Sequence, residues 1–304
     1  MEKTKKPSIL HMLDPMAHVS PFDINMAVDS GFEQIFPYSN VDLSQVQGLV
    51  QDAIFSRGPS GVKRTGIFIG GRDIGLALNM LEVAQAAMVP PFVISVLADP
   101  SGAFTTAAAL VACVEKQLKE KHHLDLKNMS ALVFGGTGPV GLATAVIASL
   151  AGCNVTIVDP FNIDTALNKA NEYNLRCGAS LVGTYASSDA DKARLISEAD
   201  IVFCTAKAGV QVLSASVLKD AQNLKVAGDV NAVPPLGIEG IKRTHNGEPI
   251  AHAVNASQAV GIGSLAIGDI KYKLQSALLS SLLKSETPVF LDFRAAFDLA
   301  RQIV

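Results

Sequence analysis

From residue 128 to residue 158 the chain contains no aspartate, glutamate, lysine, arginine or histidine. An apolar run of about 20 residues is long enough to cross a bilayer as a helix, so this 31-residue tract is either a membrane span or buried core. Its punctuation decides between them. The run Ala131-Leu-Val-Phe134 meets Gly135-Gly-Thr-Gly-Pro-Val-Gly141, a helical pattern follows, and an apolar strand at 154–158 stops at Asp159. Glycines and a proline interrupt any continuous helix. The pieces read strand, turn, helix, strand, as in a parallel sheet covered on both faces. No membrane partner is expected.

Within that tract Gly136, Gly138 and Gly141 fit G-x-G-x-x-G, with Thr137, Pro139 and Val140 between them. Alone the pattern is weak. Its required setting is a strand before it, a helix after it and an acid about 20 residues further on. Asp159 lies 18 residues beyond Gly141, at the end of the second strand. The setting is therefore complete. Gly136 is expected to make the tight turn, Gly138 to let the backbone approach a pyrophosphate, and Gly141 to let the helix pack on the strand. The helix N-terminus offers N–H groups and a positive dipole end to phosphates. Asp159 would accept hydrogen bonds from a ribose and repel a 2′-phosphate. No Arg or Lys follows it until Lys169, which favours NAD over NADP.

The same alternation runs through the chain. Apolar runs at 8–12, 66–69, 92–97, 131–134, 154–158, 200–204 and 224–227 read as strands. Helical patterns occupy 74–87, 107–121, 140–151 and 165–173, with late helices at 270–283 and 295–303. The expected fold is α/β and two-lobed, a Rossmann nucleotide-binding domain at 127–269 beside a smaller α/β domain at 1–126 that the helices of 270–304 complete. The polar stretch 122–128 reads as the hinge, and Thr105 or Thr106 as the N-cap of the helix before it.

At 304 residues, two domains are the natural division. A net charge of −3 leaves no basic footprint for nucleic acid. Charged residues make up 17% of the chain against roughly 25% in an average domain, which points to a homo-oligomer. Cys113, Cys153, Cys177 and Cys204 form no C-x-x-C pair and sit among apolar neighbours, so they read as small buried hydrophobes and no metal is expected. The basic opening meets Asp14 before any signal-peptide core can form, which makes the cytoplasm the expected compartment.

Longer motifs carry a resemblance. SPFD, RTGIFIGG, PFVISVLADPSGAFTTAAALV, GTGPVGLATA, DVNAVPPLGIEGI and GSLAIGDIKYKL are similar to segments of the bacterial NAD(P)-dependent methylenetetrahydromethanopterin dehydrogenases of methylotrophs, and the likeness spans nearly the whole chain. It implies an N-terminal lobe holding a pterin, a second lobe holding the nucleotide, a cleft between them, and a role in one-carbon (formaldehyde) oxidation. On this likeness Phe22 packs on the pterin ring, Thr105 and Thr106 face the cleft, and Lys271 matches the active-site lysine. Residues 136–141, Asp159 and Thr205-Ala206-Lys207 match nucleotide contacts, with Asp229 and Asn231 closing the nicotinamide end. Asp99 and Arg72 lie at strand ends, where sites gather, and Asp99 joins the substrate set. The NADP-specific relatives carry Gly-Arg where this chain has Asp159-Pro160.

The implied chemistry needs little from the chain beyond placement. Removing a hydride from a CH₂ that bridges two nitrogens leaves a delocalised cation, and no proton has to move. No Ser-His-Asp set or Cys-His pair stands out. Taken without the resemblance, Phe22 reads equally as a core aromatic and Lys271 as a solvated helix residue. A methylenetetrahydrofolate dehydrogenase, a shikimate-type dehydrogenase of the same architecture and a non-catalytic NAD-binding module are the competing readings.

Overall fold

The continuous apolar runs fold as the inner strands of two sheets. The computed structural model of the chain describes residues 6–304. In order these form β1 (Ile9–Leu13), α1 (Pro21–Asp29), β2 (Gln34–Tyr38), α2 (Leu43–Phe55), α3 (Pro59–Val62), β3 (Thr65–Ile69), α4 (Ile74–Ala86), β4 (Ser95–Ala98) and α5 (Ala103–Gln117). There follow β5 (Ser130–Phe134), α6 (Pro139–Leu150), β6 (Asn154–Asp159), α7 (Ile163–Cys177), β7 (Leu181–Tyr185), α8 (Asp189–Ile196) and β8 (Ile201–Cys204). The chain ends with α9 (Ala215–Leu218), β9 (Val226–Asp229), β10 (Asn246–Pro249), β11 (Val260–Ile262), α10 (Ser264–Lys284), β12 (Phe290–Leu291) and α11 (Phe293–Ile303).

The chain divides into two compact units, one running to Thr105 and including Tyr272–Leu299, the other made of Thr106–Lys271 and Ala300–Val304. The first holds a wholly parallel sheet in the order β12-β4-β3-β1-β2. The second holds the order β10-β11-β9-β8-β5-β6-β7, in which β10 alone is antiparallel. Every residue of β3, β4, β8 and β9 is buried, as strands covered on both faces must be. Among the described residues no helix is long and apolar enough to cross a membrane. The uncharged tract is β5, the glycine loop, α6 and most of β6, largely buried.

Three expectations need correction. The strands absent from the sequence reading include all four sheet edges, β2, β7, β10 and β12. Their residues alternate or face outward, and Pro37 in β2 is tolerated because an edge needs no donor on that side. The polar stretch 122–128 is not the hinge. It lies inside the second unit, where the His122 ring bonds the Lys225 carbonyl at 3.1 Å and Asn128 N donates to Gly152 O at 2.8 Å. The division falls instead within α5 and α10. Beyond its first turn α5 packs Leu110 against Gly228 of β9, while buried Glu115 accepts from Arg301 Nε at 2.7 Å and from Lys119 at 3.0 Å.

The third correction concerns the start of α5. Neither threonine caps it; the cap is Asp99. Its Oδ1 accepts from Phe104 N and Thr105 N at 3.0 and 3.1 Å, and its Oδ2 accepts from Thr105 Oγ1 at 2.6 Å. Asp99 and Thr105 are both fully buried. Truncating Asp99 leaves the buried Phe104 and Thr105 N–H groups without their acceptor, while Thr105 Oγ1 keeps a longer bond to Gly102 O at 3.3 Å. Asp99→Ala is therefore expected to cost about 2–4 kcal/mol in urea denaturation, and Asp99→Asn clearly less. Equal stability of Asp99→Ala and the parent would refute this cap.

Burial also accounts for the cysteines. Cys113 and Cys153 have thiols pushed up to about 12 by loss of water, and Cys204 is raised for the same reason. These three are inert core groups, whereas Cys177 is only half-buried.

Candidate active site

In the second sheet the chain runs from β5 outward through β6 to β7, then returns to β8 on the other side of β5. Strand order thus reverses between β5 and β8, and the loops leaving their carboxyl ends diverge there. Such a point is where an open α/β sheet binds ligands. A cavity of about 590 Å³ lies over it. Its floor is Phe134, Gly135, Thr137, Gly138 and Pro139, and its walls include Val158–Phe161, Ala186, Lys192, Thr205–Lys207 and Val210–Val212.

The glycines divide the work differently from the sequence expectation. The left-handed turn belongs to Gly135 (φ 73°), not Gly136. A Cβ at 135 would lie 2.7 Å from the Ala206 backbone nitrogen, because the β5 and β8 loops are pressed together. Thr205 N and Oγ1 both donate to the Phe134 carbonyl at 2.9 Å, which holds the two loops in register. Gly136 instead backs onto β6, where a Cβ would sit 2.7 Å from Ile157 Cβ. At Gly141 a Cβ would run into the Gly135 carbonyl oxygen and Thr205 Oγ1, so this glycine lets α6 close onto the loop.

Gly138 is the N-cap of α6, with no side-chain cap, and Pro139 occupies the first helical position. The early N–H groups of a helix have no partners within it. Here the capping residue supplies no side-chain oxygen either, and a Cβ at 138 would touch only the Gly135 carbonyl, at 3.5 Å. An anion can reach this helix end, so the cradle fits a dinucleotide pyrophosphate.

Asp159 closes β6 on the same cavity. Its Oδ2 accepts from Thr137 Oγ1 at 2.8 Å, and its Oδ1 accepts from Phe161 N and Asn162 N, both at 2.9 Å. Burial pushes this carboxyl up, but the three hydrogen bonds together outweigh it and hold it below the ordinary value. It is anionic at neutral pH and suited to ribose hydroxyls.

Asp229 and Asn231 are nearly enclosed. Asp229 accepts from Asn231 N and Ile238 N at 3.0 Å, and burial raises its carboxyl despite these bonds. Asn231 Oδ1 accepts from Gly209 N and Val233 N, which ties the β8 and β9 loops together. The pair shapes the loops beside the cavity from behind. Lys207 is exposed at its rim.

The residues assigned to substrate are placed separately. Phe22 stands in the first turn of α1, just after Pro21, and is 47% exposed, so it is no core aromatic. Thr106 is half-buried and Arg72 exposed, whereas the Thr105 hydroxyl is turned inward to Asp99. Lys271 lies on α10 and is half-buried.

Residues 21–101 match the family model described as methylene-tetrahydromethanopterin dehydrogenase, N-terminal. The chain is also 44% identical over 296 residues to the NAD(P)-dependent methylenetetrahydromethanopterin dehydrogenase of Methylorubrum extorquens strain AM1, covering 97% of this chain and 98% of that protein. This chain belongs to the methylenetetrahydromethanopterin dehydrogenase family. A second protein of the same organism, the bifunctional protein MdtA, is 31% identical over 295 residues, again 97% and 98% of the two chains. Among solved structures, shikimate 5-dehydrogenase from Listeria monocytogenes aligns with a TM-score of 0.52 at 14% identity over 98% of both chains. The 5-ketofructose reductase of a Gluconobacter strain aligns equally well, over 98% of this chain and 99% of that one. At such low identity these two show the shared α/β fold and nothing of the reaction.

In this methylenetetrahydromethanopterin dehydrogenase family member, three parts of the cavity wall escape a reading of the sequence. Phe161 is 88% exposed beside Asp159, Val210–Val212 line the far side, and Lys192 reaches the cavity from α8. The first lies two residues after Asp159 and is within reach of the sequence. The last enters the same cavity as Asp159 from 33 residues further along the chain, well beyond Lys169.

Proposed function

We propose that the chain takes a hydride from the methylene carbon of methylenetetrahydromethanopterin and passes it to NAD⁺ or NADP⁺, leaving the methenyl form, in one-carbon (formaldehyde) oxidation. The observation that carries this reading is 44% identity sustained over 97% of the chain, including both lobes. Bound nicotinamide supplies the hydride acceptor. The chain supplies position. The start of α6 takes the pyrophosphate, Asp159 takes the ribose and favours NAD, and Thr205–Lys207 hold the nicotinamide half. Phe22 packs on the pterin, and Thr106 and Lys271 meet its polar edge. Asp99 and Thr105 act as positioning residues through the first turn of α5. The domains are assigned as a pterin domain at the N-terminus, completed by the last helices, and a nucleotide domain between. The sparse charge and the exposed Leu175 and Val182 support a homo-oligomer, which we place in the cytoplasm.

A lysine ammonium beside a forming cation opposes it, so we assign Lys271 to anchoring the pterin rather than to the transferred hydride. Lys271→Ala is expected to lower kcat/KM about 100-fold, near 2.7 kcal/mol of transition-state stabilisation. Near-normal kcat and KM would remove it from the site. The reaction itself is read at 340 nm, with each dinucleotide, on methylenetetrahydromethanopterin and on methylenetetrahydrofolate. Reduction with the first pterin supports the proposal. A rate confined to the folate would replace the substrate, and dinucleotide binding without turnover on either would leave an NAD-binding module.

A further inference from the structure

We propose that Lys192 admits the 2′-phosphate of NADP⁺ beside Asp159 and so lets one site take both dinucleotides. The inference rests on the dinucleotide reading of this cavity and concerns only its selectivity.

Three charged side chains line the cavity: Asp159, Lys192 and Lys207. Sheet order β8-β5-β6-β7 sets the places of the strand-end groups. Lys207 follows β8, the phosphate-binding turn follows β5, and Asp159 ends β6. Lys192 comes from α8, which follows β7. A pyrophosphate at the start of α6 lies beside the β5 turn, and the ribose that meets Asp159 shares the cavity with Lys192. The Ala186 N–H donates to the Asp159 carbonyl at 3.0 Å, which fixes the entry to α8 directly against Asp159.

Lys192 is held in place without being consumed. Its side chain is 17% exposed and its Nζ lies 3.3 Å from Asp189 Oδ1, a long contact to a carboxylate that is itself 58% exposed. Such a pair contributes little and leaves an ammonium with two further donors. A site carrying Asp159 alone would repel a 2′-phosphate. With Lys192 in the same enclosed wall, that repulsion is offset, while ribose hydroxyls still find the carboxylate.

The test needs no turnover. Calorimetric titration with 5′-AMP and with adenosine 2′,5′-bisphosphate isolates the 2′-phosphate, and NAD⁺ and NADP⁺ repeat the comparison on whole cofactors. Lys192→Ala is expected to weaken the bisphosphate and NADP⁺ about tenfold, the size of one partly exposed charge-assisted contact. It should leave 5′-AMP and NAD⁺ within about twofold, well under 1.4 kcal/mol. Asp189→Asn, which frees Lys192, should tighten the bisphosphate, and Lys192→Arg should retain it. Lys207→Ala should change NAD⁺ and NADP⁺ alike. Equal changes in both ligands with Lys192→Ala, or no change in either, overturn the proposal and leave the dinucleotide reading standing. If the parent protein binds neither dinucleotide, both fail together. Melting temperatures without ligand show whether the variants are folded.

Discussion

Gly138→Ala is expected to lose dinucleotide binding while keeping its thermal stability, whereas Gly141→Ala loses both. The two substitutions add the same methyl group three residues apart on the same loop. At 138 the backbone is extended (φ −81°, ψ 168°) and the new Cβ meets the Gly135 oxygen at an ordinary 3.5 Å. The protein therefore has room. The ligand does not, because this Cβ stands at the uncapped end of α6 where the pyrophosphate must approach. A forced contact of this kind costs about 1–3 kcal/mol, so the Kd for NAD⁺ should rise roughly 10- to 100-fold. At 141 alanine gains about 1 kcal/mol of helix propensity over glycine. That gain is overridden, because the methyl would overlap the Gly135 carbonyl oxygen and sit 2.8 Å from both Gly136 Cα and Thr205 Oγ1. Backbone on one side and the β8 loop on the other leave it no way to yield. Calorimetry with NAD⁺ and thermal melts of both variants check the pair. A Gly138→Ala protein that binds NAD⁺ like the parent would place the pyrophosphate elsewhere.

These contrasts show what was legible in the sequence. The inner strands were, because β3, β5 and β8 are covered on both faces and are apolar without interruption. Edge strands such as β2 and β7 face solvent on one side, so their composition merges with that of loops. The glycine loop and Asp159 were legible as well, because a turn, a helix start and an acid at a strand end are constraints local in sequence. The roles within the loop were less so. That Gly135 takes the left-handed turn depends on the β8 loop pressing against it, which is a tertiary fact. The α5 cap is hidden from the sequence for a related reason. Threonine at a helix start is a good cap in general, but Asp99 arrives from the end of β4 and takes the donors first. Lys192 is out of reach altogether, since a helix, a strand and a helix start separate it from Asp159 in the chain, and only the fold returns it to the same cavity.

Replacing Asp159 by Gly together with Pro160→Arg is expected to reverse cofactor preference, with a change of about 100-fold or more in the NAD⁺/NADP⁺ ratio of kcat/KM. Two effects of similar size add. Loss of the carboxylate removes the acceptor for the ribose hydroxyls, a charge-assisted contact of about 1.5–3 kcal/mol. The same loss removes the repulsion of a 2′-phosphate, and an arginine at the exposed position 160 offers that phosphate a two-pronged partner. Asp159 also anchors its own loop through Thr137 Oγ1, Phe161 N and Asn162 N. The double variant should therefore bind NADP⁺ less tightly than the gained contacts alone would give, because the loop must be ordered by the ligand instead. Asp159→Asn separates these effects: it keeps the side chain's size and the acceptor for Phe161 and Asn162, and removes the charge. It should lose NAD⁺ affinity less than the double variant and gain NADP⁺ affinity through relief of repulsion alone. Steady-state kinetics with both dinucleotides decide the matter. Unchanged selectivity in the double variant would mean that the ribose contact lies elsewhere than Asp159, and the placement of the nucleotide along β6 would have to be redrawn.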